Sequence, residues 1–210
     1  SMTKMIFYYA PMTVSVACHI ALEEAGATYE SRKLDFSITE QRSQDYLSIN
    51  PKGRVPSLVT DKGIITETPA ILAYIAQAYP EAKLAPLEDP YRFAKMQEIN
   101  VYLAATVHVN HAHKIRGTRW VDDDAAISAM RAKVPQTMHE SFELIEKEMF
   151  VGPWVLGEDF TVSDCYLFCI SLWLKGDKVD IEEFPGINQH NKRMRERASV
   201  VKVLELHGLT

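Results

Sequence analysis

"INPKGRVPSLV", residues 49–59, places two prolines and a glycine directly ahead of an apolar, strand-like run. Asn50-Pro51 is a turn starter, Gly53 permits positive φ, and Pro56 has no amide donor to offer just before "SLVT". A plain central strand cannot open in this way. An X-Pro bond is where a cis peptide costs little, roughly 0.5–1 kcal/mol against roughly 2.5–4 for other residues. A cis bond between Val55 and Pro56 turns the Val55 backbone outward, so its N–H and C=O are expected to face a ligand.

Upstream of this loop, "KMIFYY" from Lys4 to Tyr9 reads as a buried strand, "TVSVACHIALEEAG" from Thr13 as a helix stopped by Gly26, and "TYESRKL" as a second strand. Residues 39–49 are weakly helical. Downstream, "SLVT", the turn Asp61-Lys62-Gly63 and "IIT" form a hairpin, and "TPAILAYIAQAYP" a helix with Thr68 as capping hydroxyl, Pro69 at its first position and Pro80 beyond its end. The order βαβαββα predicts a thioredoxin-like α/β domain over residues 2–80. A linker rich in Pro and Glu fills 81–90, and helical patterns at 91–116, 124–149, 161–175 and 185–206 predict an all-α domain over 91–210. In "FTVSDCYLF", Thr161 can cap a helix, Asp164 can return a bond to the Thr161 amide, and Phe160 can staple against Cys165 or Tyr166. That device serves folding.

The chain of 210 residues, 47% hydrophobic and 24% charged, is long enough for two domains with real cores. A net charge of −5, with no run of like charge longer than Asp122 to Asp124, argues against nucleic acid and anionic membrane as partners. A small-molecule or protein partner is expected. The longest apolar run, Cys165 to Leu174, is about half of a bilayer span, and the N-terminus has no signal-peptide pattern, which predicts a cytoplasmic protein. Ser1 ahead of Met2 reads as an expression scar. Cys18, Cys165 and Cys169 have no CxxC or zinc-ligand spacing, so neither disulfides nor structural zinc are expected. In "HVNHAHKIRGTRW", His108 and His111 lie about 60° apart on a helix and His113 about 140° from the first, which is no metal-ligand set.

"NPKGRVPSL", "TETPAILAYIA" and "GPWVLGEDFTVSDCYL" occur in the order seen in cytosolic glutathione transferases, and the chain resembles that family from end to end. Its opening is most similar to bacterial members, including the beta class. The resemblance implies a thioredoxin-like domain whose cis-proline loop, Val55 and Pro56, pairs with the cysteinyl backbone of glutathione. It implies that Glu67 receives the γ-glutamyl ammonium and Thr68 its carboxylate. Arg54 and Lys52 then stand near the glycyl carboxylate.

Against the beta-class pattern the cysteine position is Val14, so a thiol mechanism on the protein side is not expected, and Cys18 reads as a buried small hydrophobe. Ser15, Thr13 and Tyr9, in that order, are the hydroxyls near the first helix that can donate to the glutathione sulfur, with Tyr8 a weaker match and backbone amides an alternative. Lowering a thiol pKa of about 8.5 by about two units takes roughly 2.7 kcal/mol. One hydroxyl bond with helix-terminal amides suffices. His108 matches a position at which the beta class carries a substrate-side histidine, and Met12, Arg116 and Trp120 join it as candidates for the electrophile pocket. The implied function is a homodimeric glutathione transferase attacking a small hydrophobic electrophile without a metal. A glutathione-dependent isomerase, dehalogenase or peroxidase on the same scaffold, and a non-catalytic protein-interaction module, are the alternatives.

Overall fold

A computed structural model describes residues 4–209, so Ser1 and the start of the expected first domain lie outside the described residues. The chain forms two compact units, one reaching Pro90 and resuming at Arg195, the other Tyr91–Met194. The expected all-α domain ran to residue 210. Its last helix instead belongs to the first unit.

In the first unit, β1 (Met5–Tyr9), α1 (Ser15–Glu24) and β2 (Tyr29–Lys33) form a parallel βαβ arrangement. Two short 3-10 turns lead into α2 (Gln44–Ile49), and β3 (Ser57–Thr60) and β4 (Gly63–Thr66) form the hairpin ahead of α3 (Thr68–Ala78). The sheet order is β2-β1-β3-β4, with β3 antiparallel to both neighbours. Together with the helical second unit this is the thioredoxin-like plus all-α fold read from the sequence.

Strand β1 alternates, burying Met5, Phe7 and Tyr9. Helix α1 is buried from Ser15 through Leu22. It has no solvent face because α3 and α9 (Ala198–Leu206) both pack on it. Its acidic end is met by α9 and the residue before it: Arg197 forms a two-pronged bond to Glu24 at 2.8 Å for each oxygen, and Lys202 reaches Glu23 at 2.9 Å. Burial alone would raise the Glu24 pKa, but the bonds from Arg197 and Ser199 outweigh it and lower it. Farther along α1, His19 Nδ1 lies 2.9 Å from His207 Nε2, both rings buried.

In the second unit, α4 (Pro90–Tyr102) continues through a π turn, Leu103–Val107, into α5 (His108–Ala112). Helix α6 (Asp124–Leu144) ends in a second π turn, Ile145–Met149, and α7 (Val162–Ser171) and α8 (Pro185–Arg195) follow. Every residue of α7 is buried. The Thr161–Asp164 capping box forms, and Asp164 also accepts from the Val155 amide and faces His190 Nε2, each at 2.8 Å. One fully buried carboxylate thereby satisfies two loops and a neighbouring helix.

Three expectations shift. Thr68 does not cap α3: Glu67 occupies the cap position with no side-chain cap bond, and Pro69 sits inside the first turn. The expected helix 185–206 breaks into α8 and α9, with Arg197 extended at φ −79°, ψ 135°. The Arg197 bonds to Glu24 fix that break, which no Gly or Pro announces. Phe160 packs edge-on against Trp154 at 5.2 Å, a partner the staple reading did not include.

Candidate functional site

The loop over residues 49–59 is tied down from beneath. Asn50 Oδ1 accepts from the Lys52 amide at 3.1 Å and its Nδ2 donates to the Arg54 carbonyl at 2.9 Å. Tyr46 donates its hydroxyl to the same carbonyl at 2.6 Å, beside Ser57 Oγ at 2.7 Å. Gly53 has φ 64°, and a Cβ there would lie 2.8 Å from Arg42 Nη1 and 3.1 Å from the Gln41 carbonyl, so both conformation and space require glycine. The Val55-Pro56 bond is cis. The Val55 side chain points into a cluster with Ala10, Leu34 and Tyr46. Among the described residues, neither its N–H nor its C=O has a hydrogen-bond partner. Buried polar backbone is rarely left so, and an extended peptide could supply both missing partners.

Beside the loop, Glu67 holds φ 77° and ψ 122°, a backbone state that costs a non-glycine residue on the order of 1–3 kcal/mol and that gathers at ligand sites. Its Oε2 accepts from Lys52 Nζ at 2.6 Å, and the same ammonium reaches Thr66 Oγ1 at 2.8 Å. Lys52 and Glu67, read from the sequence as separate ligand contacts, are thus paired with each other. The pair is well exposed, so a competing charge can open it at a cost of about 0–1 kcal/mol. Thr68 is buried in the first turn of α3, where amide dipoles favour an anion. The Arg54 side chain is exposed.

At the start of α1, Met12 is exposed with φ 65°, and Val14 takes the cap position without a side-chain bond. Thr13 Oγ1 lies 2.8 Å from the Ala10 carbonyl and 2.6 Å from Ser15 Oγ. Ser15 Oγ in turn faces both the Ala10 amide, at 3.3 Å, and the Ala10 carbonyl, at 3.0 Å. Ser15 is fully buried, and Thr13 half-buried. The Tyr9 ring sits 4.8 Å from both His19 and His207, against α1 and α9, and burial raises its pKa. Cys18 is fully buried, with Sγ 3.8 Å from the Thr68 carbonyl.

In the second unit, His108 meets the Trp173 ring at 5.0 Å, Arg116 is half-buried in the turn after α5, and Trp120 stacks on His113 at 4.1 Å while staying exposed. Sequence reading missed Tyr46 as a strut of the Val55 loop, and Asn50 beyond its turn role; the Asn-Pro-x-Gly spacing was the available signal for Asn50. No cluster of three His, Cys, Asp or Glu among the described residues could hold a metal ion, and no described helix is long and apolar enough to cross a membrane.

Models of the glutathione S-transferase N-terminal and C-terminal domains match residues 3–77 and 70–198. The chain belongs to the glutathione S-transferase family. It is 30% identical to glutathione S-transferase GstA of Escherichia coli O157:H7 over 208 residues, 98% of this chain and 100% of that one. It is also similar to the crystal structure of a glutathione transferase homologue from Sulfitobacter with bound glutathione: 44% identity, full coverage of both chains and a TM-score of 0.95. A maleylacetoacetate isomerase of Pseudomonas aeruginosa is 27% identical over 78% of this glutathione S-transferase family chain and 77% of its own.

Proposed function

We propose that the protein is a glutathione transferase that binds glutathione on its first unit and activates the thiol for attack on a small hydrophobic electrophile. The observation that carries this reading is the Val55 backbone, unpartnered at both its N–H and C=O, beside Glu67 and the start of α3. The cysteinyl residue of glutathione pairs there as a short added strand. Its γ-glutamyl ammonium displaces Lys52 from Glu67, its α-carboxylate takes the α3 amides with Thr68, and Arg54 and the released Lys52 meet the glycyl carboxylate.

For the thiol, Thr13 takes precedence over Ser15. Each hydroxyl has one proton, and without glutathione both lie within reach of the Ala10 carbonyl, at 2.8 Å for Thr13 and 3.0 Å for Ser15; with glutathione bound both turn from it into a single directed chain, in which the Ala10 amide donates to Ser15 Oγ, Ser15 to Thr13 Oγ1, and Thr13 to sulfur. Ser15 then positions Thr13 without touching glutathione. Tyr9, held among histidine rings, plays no part. The thiol proton passes to water, the thiolate held in this way adds to the electrophile, and the pair of electrons leaves with a halide or rests on a carbonyl-conjugated carbon that takes a proton. On the first unit, Met12 is the proposed electrophile contact.

Calorimetry with glutathione, followed by turnover with 1-chloro-2,4-dinitrobenzene, tests the reading. Heat at millimolar glutathione and its loss in Glu67→Ala are expected; no heat in the unaltered protein overturns it. The likeness to a maleylacetoacetate isomerase supports a second reading, in which glutathione adds to a cis-alkene and is expelled after rotation. Regeneration of free glutathione without a stable conjugate distinguishes it. A homodimer is also proposed, since β4 exposes Ile64 and α3 leaves Tyr74 half-covered. Light scattering near 23.8 kDa, the mass of one chain, would contradict that.

A further inference from the structure

Helix α2 is six residues long and buries a single side chain, Tyr46, which is 2% exposed. The ring packs against Tyr8 of β1 at 5.4 Å, and the hydroxyl ends between two partners, the Arg54 carbonyl at 2.6 Å and Ser57 Oγ at 2.7 Å. A phenol has one proton, and a carbonyl can only accept. The Tyr46 proton therefore goes to Arg54, and Ser57 donates its own to the phenol oxygen. Burial raises the Tyr46 pKa, which keeps the phenol protonated. Ser57 is itself fully buried in β3, paired in the sheet with Tyr8 on one side and Thr66 on the other. Asn50, buried where α2 ends, donates Nδ2 to the same Arg54 carbonyl at 2.9 Å, and its Oδ1 accepts from the Lys52 amide at 3.1 Å.

Two buried side chains thus converge on one carbonyl. Closing the turn does not require them, because the Gly53 amide already donates to the Asn50 carbonyl at 2.9 Å. A carbonyl oxygen has two lone pairs, both near the peptide plane. One donor leaves that plane free to rock about the chain axis, whereas two donors hold it. The plane held here is the trans peptide between Arg54 and Val55, so the Val55 N–H lies at its other end and points away from the carbonyl. Holding the carbonyl aims the N–H. That N–H is the donor left without a partner among the described residues.

We propose that Tyr46, together with Asn50, is a positioning residue for glutathione recognition: its bond to the Arg54 carbonyl aims the Val55 N–H at the cysteinyl carbonyl of the ligand. This rests on the reading that glutathione pairs with the Val55 backbone. Both side chains act through the peptide, being buried themselves. Aim matters because a hydrogen bond weakens steeply once its angle falls below about 120°. A ligand with no acceptor at that point gains nothing from the clamp, which therefore favours a peptide thiol over a simpler one.

The test is a pair of titrations on the full chain, labelled with nitrogen-15 valine and followed by NMR, with the Val55 amide assigned through Val55→Ile. One probe is glutathione. The other is N-(γ-glutamyl)cysteamine, which keeps the γ-glutamyl group, the amide N–H and the thiol but lacks the glycine and the carbonyl that Val55 would meet. In the unaltered protein, glutathione should move the Val55 amide proton downfield and the cysteamine compound should not. Tyr46→Phe, which keeps the ring, should weaken glutathione about fivefold and the second probe by less than about twofold, and should shrink the downfield shift at saturation. Asn50→Ala should repeat that pattern. The double variant should lose less than the sum of the two, since either loss already frees the plane. Asn50→Ala carries the test alone if Tyr46→Phe does not fold, and the Val55 shift alone decides if the second probe does not bind. An unchanged affinity and shift in Tyr46→Phe, equal weakening of both probes, or additive losses in the pair overturns the positioning role and leaves the pairing at Val55 standing. A Val55 amide that saturating glutathione leaves unmoved removes the pairing and this proposal with it. Absence of glutathione binding in the unaltered protein overturns the transferase reading itself.

Discussion

Lowering the pH from 7 to 5 should strip stability from the first unit through one buried pair. His19 and His207 share a 2.9 Å contact, and His19 Nε2 lies 3.0 Å from Ser31 Oγ, inside a cage of Phe7, Tyr9 and Tyr29. Burial lowers the His19 pKa from 6.5 to about 4, with Lys202 adding to it. Burial likewise lowers His207 to about 3, with His19 and Lys33 adding repulsion. Both folded values lie below the unfolded one, so the unfolded chain binds more protons and acid favours it. The loss begins as the pH falls below about 6.5 and levels off near the folded values. At pH 5 an unfolded histidine is almost fully charged and these two are almost fully neutral, a difference of about 2 kcal/mol for each and about 4 for the pair. That is a large share of an ordinary stability of about 5–15 kcal/mol. Glu24, whose pKa is lowered from 4.5, contributes stability that disappears only below about that pH, so the two effects occupy separate windows.

Urea unfolding between pH 7.5 and 5, at one protein concentration, measures this. The unaltered protein should lose stability steeply over that range. The His19→Gln/His207→Gln protein, less stable at pH 7, should have a slope shallower by about 4 kcal/mol between the two ends, because glutamine bonds but does not titrate. Parallel slopes in the two proteins would refute the reasoning, since the acid sensitivity would then reside elsewhere.

In the thiol series, Thr13→Ala should raise the pKa of bound glutathione by about one unit or more, Ser15→Ala by less, and Tyr9→Phe not at all, read by thiolate absorbance against pH; equal values for the first two would break the proposed order of donors. Gly53→Ala, which forces a side chain onto Arg42 and the Gln41 carbonyl at φ 64°, should cost roughly 1–3 kcal/mol in urea unfolding and weaken glutathione binding with it. Asp164→Ala leaves the Val155 and Thr161 amides and His190 Nε2 without their acceptor, and should cost about 3 kcal/mol or more by the same measurement.

What could be read in advance follows the range over which each feature is decided. The Val55 loop was legible because proline and glycine restrict their own backbone, and the Thr161–Asp164 box because both partners sit within one helical turn. The start of α3 was displaced by one residue. Thr68 looked like a cap from its hydroxyl, yet the unusual backbone of Glu67, held beside Lys52, moved the cap back. The order Ser15, Thr13, Tyr9 came from proximity to a helix end, and proximity carries no information on burial. Ser15 turns inward because Ala10 offers it both an amide and a carbonyl, and Tyr9 because β1 alternates and its odd positions face α1.

The contacts that stayed hidden share one property. Arg197 with Glu24, His207 with His19 and Asp177 with His111 each join residues far apart in the chain, 173, 188 and 66 positions respectively, and none belongs to a local pattern. Two of the three bind the C-terminal segment to α1, the helix whose first turn carries Thr13 and Ser15. A helix packed on three sides and tied at its acidic end has little freedom to move its N-terminus. A hydroxyl that donates to a thiolate needs that fixity, because one bond of about 1–3 kcal/mol counts only if the donor is already in place when the charge forms. The first unit is therefore completed by residues from the far end of the chain, and the reach of α9 back to α1 belongs to the site's chemistry as much as to the fold.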